Sequence, residues 1–338
     1  MMKSRIDQQG PIKLAVQIPG EPTEEDLQFA KQMGVDYVTL WAYGNKCTPE
    51  YYVSRRKLVE EAGLKLYGFG NTCVHNQDAI VLNLANRDEK IEEYKTHLRN
   101  LAKAGIPYTT YAHMANGIWH SERESSRGGA SSRAFDLEGT PEGEWGGSVW
   151  DTPLSHGRSY TEEEIWENYT HFIKAVVPVA EETGILIGIH PDDPPVPVLA
   201  GVPRCIFSSF EGYKRALEIA DSPNVGICLC VGCWLEGGDL MGKDVLETIH
   251  YFGERKKIFK VHFRNVDRPL PHFVETLPDD GYMDMYEVMK ALRQVSFDGV
   301  VIPDHVPLTV GGRQLATAFT LGYMKALWER ANAEIGDA

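Results

Sequence analysis

Eight short β-rich runs alternate with eight amphipathic helical stretches along this chain, and that alternation constrains the fold more than any other feature. The runs are 14–19, 37–42, 65–70, 108–113, 185–190, 225–231, 258–265 and 300–304. The helical patterns are 24–33, 49–62, 88–104, 161–183, 210–220, 244–255, 283–295 and 314–334. A strand followed by a helix, repeated, builds a parallel sheet, because parallel neighbours need a long crossover. Eight such units close into a (β/α)8 TIM barrel, which routinely exceeds ~250 residues as one domain. The 338 residues are therefore expected to form a single α/β domain, 1–338. Glycine follows the helical pattern at Gly34, Gly63, Gly105 and Gly184, where a left-handed residue stops a helix.

Two strand-to-helix connections are long, 71–87 after strand three and 114–160 after strand four. The second is rich in Gly, Ser, Arg and Glu, and its length predicts that it covers the barrel mouth or a neighbouring subunit's mouth. Composition excludes several partners. A net charge of −14 argues against nucleic acid, whose phosphates need a Lys/Arg surface. No apolar run approaches the ~20 residues that cross a bilayer, and the start, M-M-K-S-R-I-D-Q-Q-G, lacks an apolar signal core. A cytoplasmic protein with six reduced thiols is the expectation: Cys47, Cys73, Cys205, Cys228, Cys230 and Cys233. The cluster C-L-C-V-G-C does not have paired zinc-ribbon spacing. The sequence leaves a homo-oligomer open.

Four metal-ligand residue types fall at the ends of consecutive strands: His190, Cys230, His262 and Asp304. In this architecture the C-terminal strand ends hold the active site. Alternation along each strand sends Leu186, Gly188 and His190 inward, then Gly226, Cys228 and Cys230, then Lys260, His262 and Arg264, then Val300, Ile302 and Asp304. Two imidazoles, a thiolate and a carboxylate thus converge on one place and predict a bound divalent cation. Thiolate favours zinc, while imidazole with carboxylate also suits manganese or iron.

From His190 onward the residues resemble a known family. H-P-D-D-P-P (190–195), L-C-V-G, V-H-F-R-N-V, D-G-Y-M-D-M-Y-E-V-M-K-A-L and P-D-H are similar in order and spacing to the mannonate dehydratases, as is 97–106. The resemblance is strong over the second half and weak over the first. It implies a xylose-isomerase-like barrel with a catalytic Mn2+, a lyase of carbohydrate metabolism that dehydrates mannonate to 2-keto-3-deoxygluconate. The implied ligands are His190, Cys230, His262 and Asp304, and the implied acid/base is His305. We expect His305 to act as a neutral base near the metal and not as a fifth ligand. Arg264 either holds a substrate carboxylate two-pronged or pairs with Asp192 or Asp193 at the mouth.

The chain also departs from the family. R-Q-L-A-T-A-F stands where the family has a catalytic Tyr, and Tyr323 comes too late in the helix to replace it. V-E-T-L-P replaces H-E-A-A-H, which leaves Glu275 without histidine neighbours. The loops after strands three and four bring His75, His113 and His120, either as substitutes or as loop and surface histidines. Trp41, Tyr43, Trp119 and Trp234 near strand ends either stack on a sugar or pack the core and lid. A sugar isomerase or epimerase is the alternative reading, and a barrel that only binds a metal or ligand is a third.

Overall fold

The computed structural model describes residues 12–44 and 46–336. Eight parallel strands close into a barrel: β1 Lys13–Pro19, β2 Tyr37–Ala42, β3 Lys65–Asn71, β4 Tyr108–Tyr111, β5 Leu186–Ile189, β6 Val225–Cys230, β7 Ile258–His262 and β8 Val300–Ile302. Neighbours in sequence are neighbours in the sheet, and β8 returns to β1 through Lys13↔Val300 and Leu14↔Val301. The outer helices are α1 Glu24–Gln32, α2 Pro49–Glu61, α3 Arg87–Lys103, α4 Glu162–Thr183, α5 Phe210–Ala220, α6 Val245–Glu254, α7 Met285–Gln294 and α8 Gly312–Ile335. These spans differ from the sequence reading by a few residues at their ends. Among the described residues no helix is long and apolar enough to cross a membrane.

Local chemistry accounts for the boundaries. Thr23 with Asp26, Thr161 with Glu164 and Asp244 with Glu247 form reciprocal capping boxes at the starts of α1, α4 and α6. Gly184 closes α4 at φ +70°, a conformation that a Cβ disfavours. Inside the barrel, Val300 and Ile302 pack with Ala15 against Tyr37 and Tyr67, while Ile187 and Ile189 face the helices in the main core. The barrel is filled partly by the Tyr108 ring, and glycine makes that possible. A Cβ on Gly188 would lie 2.4 Å from the Tyr108 hydroxyl, and one on Gly68 2.5 Å from its ring.

The two long connections lie at the C-terminal face. After β3 come two single-turn helices, Thr72–His75 and Asp78–Val81. The 114–160 excursion folds into short strands of its own, among them Ile118–His120, Ala134–Asp136 and Glu142–Trp145. It lies over the mouth of its own barrel. Ala134–Asp136 pairs antiparallel with His272–Thr276, the outer strand of a hairpin that follows β7, with Phe135 opposite Phe273. The covered mouth keeps a cavity of about 830 Å³.

Candidate active site

Three of the four residues read from strand parity, His190, His262 and Asp304, form the floor of the cavity, and Cys230 is buried next to the two histidines. Just beyond β5, His190 donates its Nδ1–H to the Pro191 carbonyl at 2.7 Å, since a carbonyl can only accept. Its Nε2 lone pair therefore points at His262 Nδ1, 3.2 Å away. His262, the last residue of β7, also lies 3.4 Å from Asp304 Oδ2. Donor atoms of His190, Cys230 and His262 all lie within 4.8 Å of one another. A tetrahedral first-row ion with bonds of about 2.1–2.3 Å would hold its donors roughly 3.4–3.8 Å apart, so the residues present fit such an ion. Asp304 joins the group through His262.

Electrostatics prepare the donors. Burial pushes the Cys230 thiol up, but the hydrogen bond from Cys233 and the charge of Arg264 outweigh it and hold the group well below its ordinary value, toward the thiolate that binds metals. Burial works the same way on Asp304, and the positive charge of His262, then His305, holds its carboxyl well down. Cys228 stands behind His262, with Sγ 3.4 Å from Nε2.

Arg264 takes the salt-bridge arrangement. Its guanidinium is buried, with Nε 3.2 Å from Asp304 Oδ2, Nη2 3.3 Å from Asp193 Oδ2 and Nη1 3.2 Å from Glu275 Oε1, and Nη1 also donates to Glu236. Asp193, Cys233 and Glu236 also cluster closely enough to suggest an ion, but the Arg264 guanidinium fills their centre. Of the two aspartates foreseen as its partners, the one it meets is Asp193.

His305 lies beside the group and reaches the mouth because Asp304 adopts a left-handed φ of +62° directly after Pro303. That turn lets adjacent residues both line the cavity, where strict alternation would separate them. The His305 Nδ1–H donates to Glu275 Oε1 at 3.0 Å, and Nε2 is 3.9 Å from Asp304 Oδ2. Burial lowers its pKa, but Asp304 and Glu275 raise it further, to about 9. The sequence reading pictured a neutral ring, whereas the two carboxylates favour the imidazolium. Glu275, which sequence comparison left isolated, is thus the residue that orients His305.

Some participants were missed. Lys260 lines the floor, and among the described residues its ammonium has one hydrogen-bond partner, the neutral Gln17 at 3.3 Å. Its inward parity on β7 was the available signal. Arg133, from the excursion, bonds Asp193 at 2.5 Å, Glu275 at 2.9 Å and the Trp119 carbonyl at 2.8 Å, which ties the covering segment to the ion-pair network. No local pattern marked it. Of the three substitute histidines, His75 and His120 line the cavity, while His113 is buried behind it against the Tyr111 hydroxyl at 2.7 Å. Trp41 and Tyr43 face the cavity, whereas Trp119 and Trp234 are core residues. Tyr323 packs against the core on α8.

This chain is similar to known proteins over most of its length. The D-mannonate dehydratase (UxuA) family model matches residues 20–141 and 141–331. The mannonate dehydratase of Streptococcus pneumoniae (strain 70585) is 35% identical over 275 residues, 76% of this chain and 73% of that protein. The mannonate dehydratase of Thermotoga maritima is 33% identical over 317 residues, 83% and 85% of the two chains. The crystal structure of mannonate dehydratase from Streptococcus suis serotype 2 superposes with a TM-score of 0.84 at 28% identity, covering 97% of this chain and 96% of that one. A D-tagatose 3-epimerase-like protein shares the barrel at a TM-score of 0.62 and 15% identity, covering 96% of this chain and all of that one, a likeness of fold alone. Matched over most of its length, this chain belongs to the D-mannonate dehydratase family.

Proposed function

We propose that this protein is a metal-dependent hydro-lyase that removes water from a sugar acid, with D-mannonate as substrate and Mn2+ as the ion. The observation that carries the reading is the meeting of donor atoms of His190, Cys230 and His262, with the Asp304 carboxylate beside His262, at consecutive strand ends in a chain of the D-mannonate dehydratase family. A divalent ion held there would bind the substrate carboxylate and its neighbouring hydroxyl, and stabilise the negative charge that builds as the adjacent C–H proton leaves.

The chain's own residues divide the remaining work. Lys260, whose ammonium meets no carboxylate at hydrogen-bond distance among the described residues, offers the substrate carboxylate a cation. Arg264 is committed to protein carboxylates and acts as a positioning residue for Asp304. His305, held by Glu275, is the proton-transfer residue: its imidazolium gives a proton to the leaving hydroxyl, and the ring so neutralised accepts the proton lost from the adjacent carbon, so that one water leaves and the imidazolium is restored. The covering segment, tied down by Arg133, excludes water. Because that segment pairs strand to strand with the hairpin after β7, we read the whole chain as one catalytic domain.

The test is the mass of the product. Protein loaded with Mn2+ and incubated with D-mannonate and other hexonates should give a 2-keto-3-deoxy acid lighter by one water. A product of unchanged mass would make the barrel an isomerase or epimerase, and no product from any hexonate would leave it a binding protein.

A further inference from the structure

In an eight-strand barrel, β2 and β3 stand diametrically opposite β6 and β7, so the wall facing Cys230 and His262 is built from the ends of β2 and β3. That wall is aromatic. The Trp41 ring lies over Gly70, where a Cβ would come within 2.2 Å of it. Its indole N–H donates to Thr72 Oγ1 at 3.0 Å. Trp145, at the tip of the covering excursion, donates its indole N–H to the Thr72 carbonyl at 3.2 Å. The two ring centroids are 6.2 Å apart, nearly perpendicular. With both N–H groups used, these tryptophans present only their carbon surfaces to the cavity.

His75 stands between them, with its ring centroid 4.8 Å from that of Trp41 and 5.1 Å from that of Trp145. Its Nδ1 is 2.9 Å from the Thr110 carbonyl, which can only accept, so Nδ1 carries the hydrogen and Nε2 carries a bare lone pair. Nε2 has no protein partner among the described residues, and the side chain lines the cavity. The placement is rigid. The His75 carbonyl accepts the Ala112 N–H at 2.9 Å, and the Asn76 amide clamps Met114 through bonds of 2.6 and 2.9 Å. Burial lowers the His75 pKa to about 3, so the ring stays neutral at ordinary pH.

We propose that His75 is a specificity-determining residue, whose Nε2 accepts a hydrogen bond from one hydroxyl of the sugar-acid chain while Trp41 and Trp145 cover the chain's C–H surface. This rests on the sugar-acid reading above. A fixed acceptor set between the carbon faces of two tryptophans selects strongly. The epimer that turns its hydroxyl away leaves a buried acceptor unpaired and a hydroxyl without its partner, which costs more than a misfit methylene.

The test uses full-length, metal-loaded protein and calorimetric binding of D-mannonate and of the hexonates that invert one of its carbons at a time. His75→Asn places an amide where Nδ1 was, so the bond to Thr110 survives but the acceptor is gone. His75→Gln reaches the Nε2 position. The expected result is an approximately tenfold weaker affinity of His75→Asn for the preferred hexonate, the weight of one hydrogen bond, with the preference at one carbon flattened. His75→Gln should recover part of both, and metal content should stay at the wild-type level in both variants. Affinities that do not change, or that fall equally for every epimer, overturn the proposal. Wild-type protein that binds a hexonate but releases no water overturns the dehydratase reading and leaves the His75 comparison intact. Wild-type protein that binds no hexonate overturns both.

Discussion

The two sides of the cavity are built on opposite principles. On the β5–β8 side the side chains are ionisable and buried. Asp193, Glu236, Glu275 and Asp304 surround Arg264 and Arg133, and His190, His262 and His305 line the cavity beside them. On the β2–β3 side two tryptophans and a neutral histidine carry no charge. A buried charge is tolerated only when paired, so the first side cannot lose one member without stranding its partners. The second side is held by packing and neutral hydrogen bonds, and its members can be changed singly. The proposed chemistry is thus concentrated where the network is rigid, and the proposed substrate choice where side chains can be altered cheaply.

That contrast can be broken by mutation, most severely on the charged side. Cys230→Ala or His262→Ala should abolish stoichiometric metal and lower turnover by at least about three powers of ten, the several kcal/mol an ion lends to developing charge. Cys233→Ser should keep the metal, because the Asp193–Cys233–Glu236 cluster already holds the Arg264 guanidinium. Metal analysis by plasma emission separates the two outcomes, and metal lost from Cys233→Ser alone would relocate the site.

His305→Asn should retain the metal while kcat falls by roughly two to four powers of ten. Metal loss would make His305 a ligand, and unchanged kcat would make it a bystander. Glu275→Gln should cost about 10- to 100-fold, as a partner that orients a working group usually does. It should also shift the pH profile. The Glu275 carboxylate raises the His305 pKa, so its neutralisation lowers that pKa and moves the alkaline limb of kcat to lower pH. A limb that stays in place separates Glu275 from proton transfer.

The smallest effect belongs to the aromatic side. Gly70→Ala forces the Trp41 ring aside and should cost about 1–3 kcal/mol of stability, seen as a lower Tm. KM should rise with metal content intact. Metal loss in this variant would show that the two sides are not separable.

The charged floor was largely legible in the sequence because the strand periodicity reports it directly. Strand alternation is strictly two-residue, so the inward placement of Cys230 and His262 follows from counting along V-G-I-C-L-C and I-F-K-V-H. What surrounds the floor was not legible. Arg133 reaches Glu275 across 142 positions of sequence, and no local pattern encodes that pairing. The imidazolium character of His305 depends on Glu275 as well as its neighbour Asp304, and the left-handed turn at Asp304 breaks the alternation that strand counting assumes. The His75 wall needs Gly70, Thr72 and the tip of the excursion together, three pieces whose meeting is a tertiary event.

Anomalous diffraction at the manganese edge, from crystals of Mn2+-loaded protein, tests the central assignment most directly. One strong peak is expected at about 2.0–2.4 Å from His190 Nε2, Cys230 Sγ, His262 Nδ1 and an Asp304 oxygen. A peak among Asp193, Cys233 and Glu236, or none near the four strand ends, would contradict it.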